Sequence, residues 1–263
     1  MIARSRIAPS RLTRDRLVGS PASRRRAALA VARYELGDPG HPSPVPTLLI
    51  AVFDNSGSVI SPAGTDPLSN RFAEVAEAFR VVAKRSARHE RGAVLHLDTP
   101  TSGDVGPVPI TKRGLLTLRA GLHVPPDGAG SSELAPSLAR ATEMAEAHPE
   151  HTTTLVVLSD FLLLDPDPRP VLSDLAAFAG DVHAVVLGTP LPAGVLDESI
   201  TVTYVDRDDP PGAVARALFA SLTTYRPGSR SHSATTDPGP RRRLSPIPQH
   251  ISHARRDETG GVS

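Results

Sequence analysis

The sequence contains no cysteine, which excludes disulfide bonds and thiolate metal sites. Aromatic residues make up 3% of the chain, too few to form a stacking platform for single-stranded nucleic acid. No apolar run approaches the roughly 20 residues that a membrane helix needs, so no membrane span is expected. The apolar run at residues 27–32 is too short for the core of a signal peptide. We therefore expect a soluble, cytoplasmic protein.

The net charge of +1 conceals a strong separation of charge along the 263 residues. Residues 46–225 contain 13 Lys and Arg against 22 Asp and Glu, whereas the rest of the chain contains 16 against 6. Residues 1–45 are predicted to be a basic, mostly disordered N-terminal arm, and residues 226–263, rich in Ser, Pro, Arg and His, a disordered basic tail. Residues 46–225 are long enough for one domain with its own core. The preference for Arg, Ala and Pro is typical of GC-rich bacterial genomes.

Strand-like and helix-like patterns alternate within the predicted domain. Segments of strand length occur at residues 47–53, 92–97, 105–110, 153–158, 182–187 and 200–205. Between them, apolar residues at helical spacing mark amphipathic helices, as at Phe72, Val75, Phe79 and Val82. The alternation predicts an α/β fold with a doubly wound, mostly parallel central sheet and helices on both faces. Ligands bind such sheets beyond the carboxyl ends of the strands.

Two of the most apolar strands end in an aspartate. The first is followed by Asp54-Asn55-Ser56-Gly57-Ser58, and the later one by Ser159-Asp160. If these strands are neighbours, two carboxylates meet at one edge of the sheet, which is unfavourable unless a cation or a proton lies between them. Carboxylates with nearby hydroxyls form a hard oxygen shell that suits Mg²⁺, with Mn²⁺ as a close substitute. The alternative is ordinary turn or helix N-cap chemistry, which uses the same residue types.

The Asp54-Asn55-Ser56-Gly57-Ser58 segment resembles the Asp-x-Ser-x-Ser motif of von Willebrand factor A domains, which builds their metal-ion-dependent adhesion site. That family adds a threonine from a glycine-rich loop and an aspartate from a later strand end. The loop is matched by Gly128-Ala129-Gly130-Ser131-Ser132, where Ser132 aligns with the threonine and Ser131 is held in reserve. Asp160 matches the later aspartate, although Phe161 follows it where glycine is usual. The resemblance covers about residues 46–225.

The resemblance implies a function as well as a fold. Mg²⁺ held by Asp54, Ser56, Ser58, Ser132 and Asp160 would keep one coordination position open for an Asp or Glu of a partner protein. The chain is therefore expected to be a protein-binding module without a catalytic residue. Bacterial domains of this type often work beside ATPases of the AAA+ class or in multi-protein systems, and a partner of that kind is expected by analogy.

Two other classes of function use different features of the sequence. A Mg²⁺-dependent hydrolase would use the same carboxylates with a general base, for which Glu133 and Asp98 are weak candidates. Serine-hydrolase, phosphate-loop and zinc-protease motifs are absent from the sequence. The arginine clusters at residues 24–26 and 241–243 offer a surface for nucleic acid or another acidic partner, but solvated arms are favoured and nucleic acid is not the expected partner. His96 and His183 lie on strand patterns and are expected to be structural.

Overall fold

The computed structural model describes residues 34–231, except for residues 67, 98, 129 and 131. Most of the predicted basic arm, the C-terminal part of the predicted tail, and both arginine clusters therefore lie outside the described residues. The strands are β1 (Gly37–Asp38), β2 (Thr47–Phe53), β3 (Glu90–His96), β4 (Val105–Pro109), β5 (Thr152–Ser159), β6 (Asp181–Leu187), β7 (Thr201–Val205) and β8 (Arg230–Ser231). The helices are α1 (Gly57–Ile60), α2 (Asn70–Val82), α3 (Gly114–Gly121), α4 (Ala135–Glu146), α5 (Pro168–Ala176) and α6 (Ala213–Thr223).

Six of the strands form one sheet in the order β4-β3-β2-β5-β6-β7. Every neighbouring pair is parallel except β3 and β4, which are antiparallel. The most apolar strand, β2, lies between β3 and β5, where both of its edges are paired and both of its faces are covered. Phe53 at the end of β2 pairs with His96 of β3 and Leu158 of β5, so these three strands end at the same edge. This is the carboxyl edge of the sheet, where a ligand site is expected.

Helices cover both faces of the sheet and enclose two apolar layers. Alternate residues of β2 point to opposite faces, so Leu49 and Ala51 join the layer beneath α2, α3 and α6. Ile50 and Val52 join the layer beneath α4 and α5. The predicted doubly wound α/β architecture is confirmed. In the described residues, no helix is long and apolar enough to cross a membrane.

The folded body extends beyond the predicted bounds of residues 46–225 at both ends. Leu36 is 2% exposed and packs in the α2 and α6 layer, and β1 pairs with β8 in a short antiparallel ladder. Arg226, predicted to begin a disordered tail, is buried instead. Its Nε donates to the carbonyl of Pro39 at 2.7 Å, and its guanidinium is ion-paired with the buried carboxylate of Glu90. Since Glu90 begins β3, these contacts of Arg226 lie at the amino edge of the sheet. Asp54 and Asp160 follow strands at the opposite edge.

Candidate metal centre

The carboxyl group of Asp54 is fully buried at the carboxyl end of β2. Its Oδ1 accepts a 2.8 Å hydrogen bond from the backbone N–H of Ser56, which turns the chain sharply after the strand. Its Oδ2 accepts a 2.6 Å hydrogen bond from the hydroxyl of Ser159, the last residue of β5. The adjacent parallel strands β2 and β5 therefore bring their polar ends together, as the sequence predicts.

Ser56 and Ser58 present neighbouring hydroxyls after this turn. Their Oγ atoms are 2.9 Å apart, which places two oxygen donors side by side. Ser56 immediately precedes α1, the position of a helix N-cap, but its side chain makes no capping hydrogen bond. The ordinary N-cap interpretation therefore does not account for the Ser56 hydroxyl.

The glycine-rich loop before α4 lies directly against the Asp54 turn. Gly130 forms a parallel bridge with Ser56, and its N–H donates to the carbonyl of Asn55 at 3.2 Å. Gly130 has a φ of 119°, a backbone conformation that residues with a side chain rarely adopt. Ser132, two residues further on, is 2% exposed. The reserve candidate Ser131 lies outside the described residues.

Asp160 follows β5 and is 7% exposed, with its Oδ1 accepting from the N–H of Leu162 at 3.1 Å. The next residue, Phe161, has a φ of 57°. This left-handed conformation is favourable for glycine but costs about 1–2 kcal/mol for other residues. The loop thus keeps the backbone shape that a glycine would adopt freely, and burial of the Phe161 ring in the α4 and α5 layer offsets the strain.

The surroundings of Asp54 disfavour its charged form. Burial raises the pKa of Asp54 and the nearby negative charge of Asp160 raises it further, whereas hydrogen bonds from Ser159 and Ser56 lower it. Within the described ranges, no Lys, Arg or His side chain is ion-paired with Asp54 or Asp160. Among the described residues, no three His, Asp or Glu side chains lie together in a group that could hold a metal ion. A cation at this edge would therefore need the serine hydroxyls as well as the two carboxylates, and these donors fit Mg²⁺.

A buried arginine that the sequence analysis did not single out supports the Asp54 turn from behind. Arg71 of α2 is 1% exposed, and its Nη2 donates to the carbonyl of Asp54 at 2.9 Å and to Oδ1 of Asn55 at 2.8 Å. Its Nη1 donates to the carboxylate of Asp66 at 2.7 Å. The guanidinium holds the turn through its backbone and leaves the Asp54 carboxyl facing the serines.

Asn55 continues this buried network to the next strand. The Nε2 atom of His96 donates to the carbonyl of Gly121 at 2.9 Å, so its Nδ1 accepts from the Nδ2 of Asn55 at 2.9 Å. Burial lowers the pKa of His96, in agreement with a neutral ring of fixed tautomer. His183 is also buried, between the hydroxyls of Ser221 and Thr203. Both histidines are structural, as expected.

Of the two general-base candidates, Glu133 is exposed, and Asp98 lies outside the described residues.

The six-stranded sheet with helices on both faces belongs to the doubly wound α/β class. Within that class the fold is similar to that of a solved pilus adhesin, and the strand-end residues resemble those of von Willebrand factor A domains. The pilus adhesin SpaC from Lactobacillus rhamnosus GG is similar with a TM-score of 0.51 and 10% identity, over 70% of this chain and 31% of that one. A von Willebrand factor type A protein from Catenulispora acidiphila has a TM-score of 0.49 and 13% identity, over 72% and 48% of the two chains.

Proximal thread matrix protein 1 from the mussel byssus gives a TM-score of 0.47 at 15% identity, over 70% of this chain and 49% of that one. This chain thus spans less than half the length of each of the three solved proteins. At such low identity the similarity concerns the fold alone. The sequence matches no protein-family model and no curated protein.

Proposed function

We propose that this chain is a divalent-metal-dependent protein-binding module. Asp54, Ser56, Ser58, Ser132 and Asp160 would hold Mg²⁺, or Mn²⁺ in its place, at the carboxyl edge of the sheet. The site would capture an Asp or Glu side chain of a partner protein. A fold of this type is suited to protein interaction or adhesion, and the solved pilus adhesin of similar fold is an example of such a use.

The observation that carries the proposal is a buried pair of carboxyl groups beside hydroxyls, with which no Lys, Arg or His side chain of the described residues is ion-paired. Asp54 is 0% exposed and Asp160 is 7% exposed, and the charge of Asp160 acts on the Asp54 carboxyl. Leaving two such charges unpaired is unfavourable, because burial removes the water that would otherwise solvate them. The hydroxyls of Ser56 and Ser58 lie beside the pair, and the Gly130 bridge brings the Ser132 loop to the same point.

The count of formal charges indicates what the site would bind. A divalent cation held by two carboxylates and neutral hydroxyls retains an affinity for one further carboxylate. The chain's own residues supply the remaining requirements: Arg71 fixes the turn, and Ser159 orients the Asp54 carboxyl. Because the domain is acidic, it would repel an acidic partner residue without the metal. Capture of that residue would thus depend on the metal. A partner among AAA+ ATPases or in a multi-protein system is part of this proposal by analogy only.

Titration with Mn²⁺ and Mg²⁺ by isothermal calorimetry tests the metal site directly. We expect one site in the wild-type chain, with binding abolished in Asp54→Asn and weakened at least about tenfold in Asp160→Asn. The matched control is Asp181→Asn, which changes a carboxylate at the amino end of β6 and should leave the affinity unaltered. Equal binding by wild type and Asp54→Asn would contradict the proposal.

A second measurement tests partner capture. Immobilised wild-type chain should retain a partner from a bacterial lysate in Mg²⁺ and release it in EDTA, whereas Asp54→Asn should retain none. A partner that stays bound in EDTA would argue against capture through the metal.

A further inference from the structure

The loop after Asp160 carries two leucines that the fold leaves in solvent. Leu162 is 62% exposed and Leu164 is 65% exposed, and they are two of only five large apolar side chains that are exposed in the described part of the chain. The residues between and beside them point inward: Phe161 is buried and Leu163 packs partly against the α4 and α5 layer. The side chains of residues 161–164 thus alternate between the apolar layer and the solvent.

Hydrogen bonds fix this segment to the candidate metal centre. The N–H of Leu162 donates to Oδ1 of Asp160 at 3.1 Å, and the N–H of Leu164 donates to the carbonyl of Ser132 at 3.2 Å. The buried carboxylate of Asp165 then accepts from the N–H groups of Leu134 and Ala135 at 2.9 and 3.0 Å. The backbone N–H groups of the two leucines are thus hydrogen-bonded to two of the proposed metal ligands, Asp160 and Ser132. These bonds fix the position of the leucines relative to the candidate metal centre.

The size of the apolar contact indicates what could cover it. A stable interface between two proteins buries roughly 1,200–2,000 Å², and two leucine side chains supply only a small part of that area. They are therefore insufficient to hold a second copy of this chain by themselves. They are suited to a contact beside a stronger anchor, which a carboxylate at the adjacent metal would provide.

A carboxylate alone also gives little selectivity, because every Asp or Glu presents the same two oxygens. Apolar side chains beside it add both affinity and discrimination, since burial of one leucine contributes roughly tenfold or more in binding.

We propose that Leu162 and Leu164 select the partner segment that binds at the candidate metal centre. They would favour a segment whose Asp or Glu is flanked by aliphatic or aromatic side chains. This inference rests on the proposed function and adds the partner's chemistry to it.

The test uses the full chain and a phage-displayed heptapeptide library with a fixed central Asp. The library is panned in Mg²⁺ and eluted with EDTA, on wild type, on the double variant Leu162→Ser/Leu164→Ser, and on Leu116→Ser. Leu116 is 69% exposed and lies in the first turn of α3. This helix follows β4, whose last residue pairs with the start of β3 at the amino edge of the sheet. Leu116 is therefore a similarly exposed leucine at the edge opposite the candidate metal centre.

Wild type and Leu116→Ser are expected to select peptides with an apolar residue next to the Asp. A selected peptide should bind the double variant at least about tenfold more weakly, while Mn²⁺ affinity measured by calorimetry stays equal in all three proteins. The inference is overturned if the double variant binds these peptides equally well, if no apolar enrichment appears, or if Mn²⁺ binds but no peptide elutes with EDTA. It is also overturned if the wild type forms a dimer by light scattering that the double variant does not, since the leucines would then serve a second copy. Failure of the wild type to bind Mn²⁺ would contradict the proposed function, and this inference would fall with it.

Discussion

The hydroxyl of Ser159 donates a 2.6 Å hydrogen bond to Oδ2 of Asp54, joining the ends of two adjacent strands inside the protein. Both residues are 0% exposed, so no water replaces this hydrogen bond if it is removed. Ser159→Ala should lower the free energy of unfolding at pH 7 by about 1–3 kcal/mol, because it leaves part of a buried carboxylate unsatisfied. Urea denaturation in EDTA measures the change. Ser199→Ala is the control, since Ser199 also bonds an aspartate, Asp197, but at an exposed site. An equal effect of the two substitutions would contradict the importance of the buried bond.

Substitutions at Ser132 test which hydroxyl of the glycine-rich loop completes the site. Ser132→Ala should weaken Mn²⁺ binding at least about tenfold, because it removes one oxygen donor. Ser132→Thr keeps the hydroxyl and adds a methyl group that restricts its rotamer, so its affinity should stay within about threefold of wild type. Both are measured by calorimetry. If Ser132→Ala binds as well as wild type and Ser131→Ala does not, the reserve residue is the ligand.

Arg71 is expected to be essential for stability although it touches the site only from behind. Arg71→Met removes the hydrogen bonds to Asp54 and Asn55 and leaves Asp66 without its cation. Breaking a buried ion pair from one side typically costs 3–5 kcal/mol, and we expect a loss of about that size in urea denaturation. The control is Arg80→Met, because the ion pair of Arg80 with Glu77 on the same helix is more exposed and should contribute at most about 1 kcal/mol. Comparable losses in the two variants would contradict the structural role of Arg71.

The buried histidines predict a loss of stability in mild acid. Burial lowers the pKa of His183 below its ordinary value of 6.5, so the unfolded chain takes up a proton at a higher pH than the folded chain does. The free energy of unfolding should therefore fall as the pH drops below 6.5, by up to about 1.4 kcal/mol per pH unit from this residue. His183→Gln removes the titrating group and should flatten that dependence between pH 7.5 and roughly 5.5 in urea denaturation. An unchanged slope would show that His183 does not contribute to it.

The position of the candidate site was predictable from the sequence because it depends on simple rules. The apolar runs of β2 and β5 predict buried parallel strands, and parallel strands end at the same edge. The aspartates that follow them, Asp54 and Asp160, must then lie close together if the strands are neighbours. The structure places β2 and β5 side by side and so brings the two aspartates together.

The supporting residues were not predictable in the same way. A charged residue at the start of an amphipathic helix is usually exposed, and no local pattern distinguishes Arg71 from such a residue. Its burial depends on Asp66 and on the Asp54 turn, which only the folded chain brings together. Arg226 lies in a basic segment rich in Ser and Pro, and its partner Glu90 is 136 residues away. Strands of two residues, such as β1 and β8, are too short to show any periodicity.

The β1–β8 ladder has a mechanical consequence. Gly37 pairs with Ser231, so these two residues lie at neighbouring points near the amino edge of the sheet. Tension applied between these two points would separate the two-residue ladder one pair at a time. The tension would next act on the hydrogen bond of Arg226 to Pro39 and on its ion pair with Glu90, before it acts on the interior strand β2. A tether fixed at Ser231 would also leave the opposite edge, with Asp54 and Asp160, facing away from its anchor.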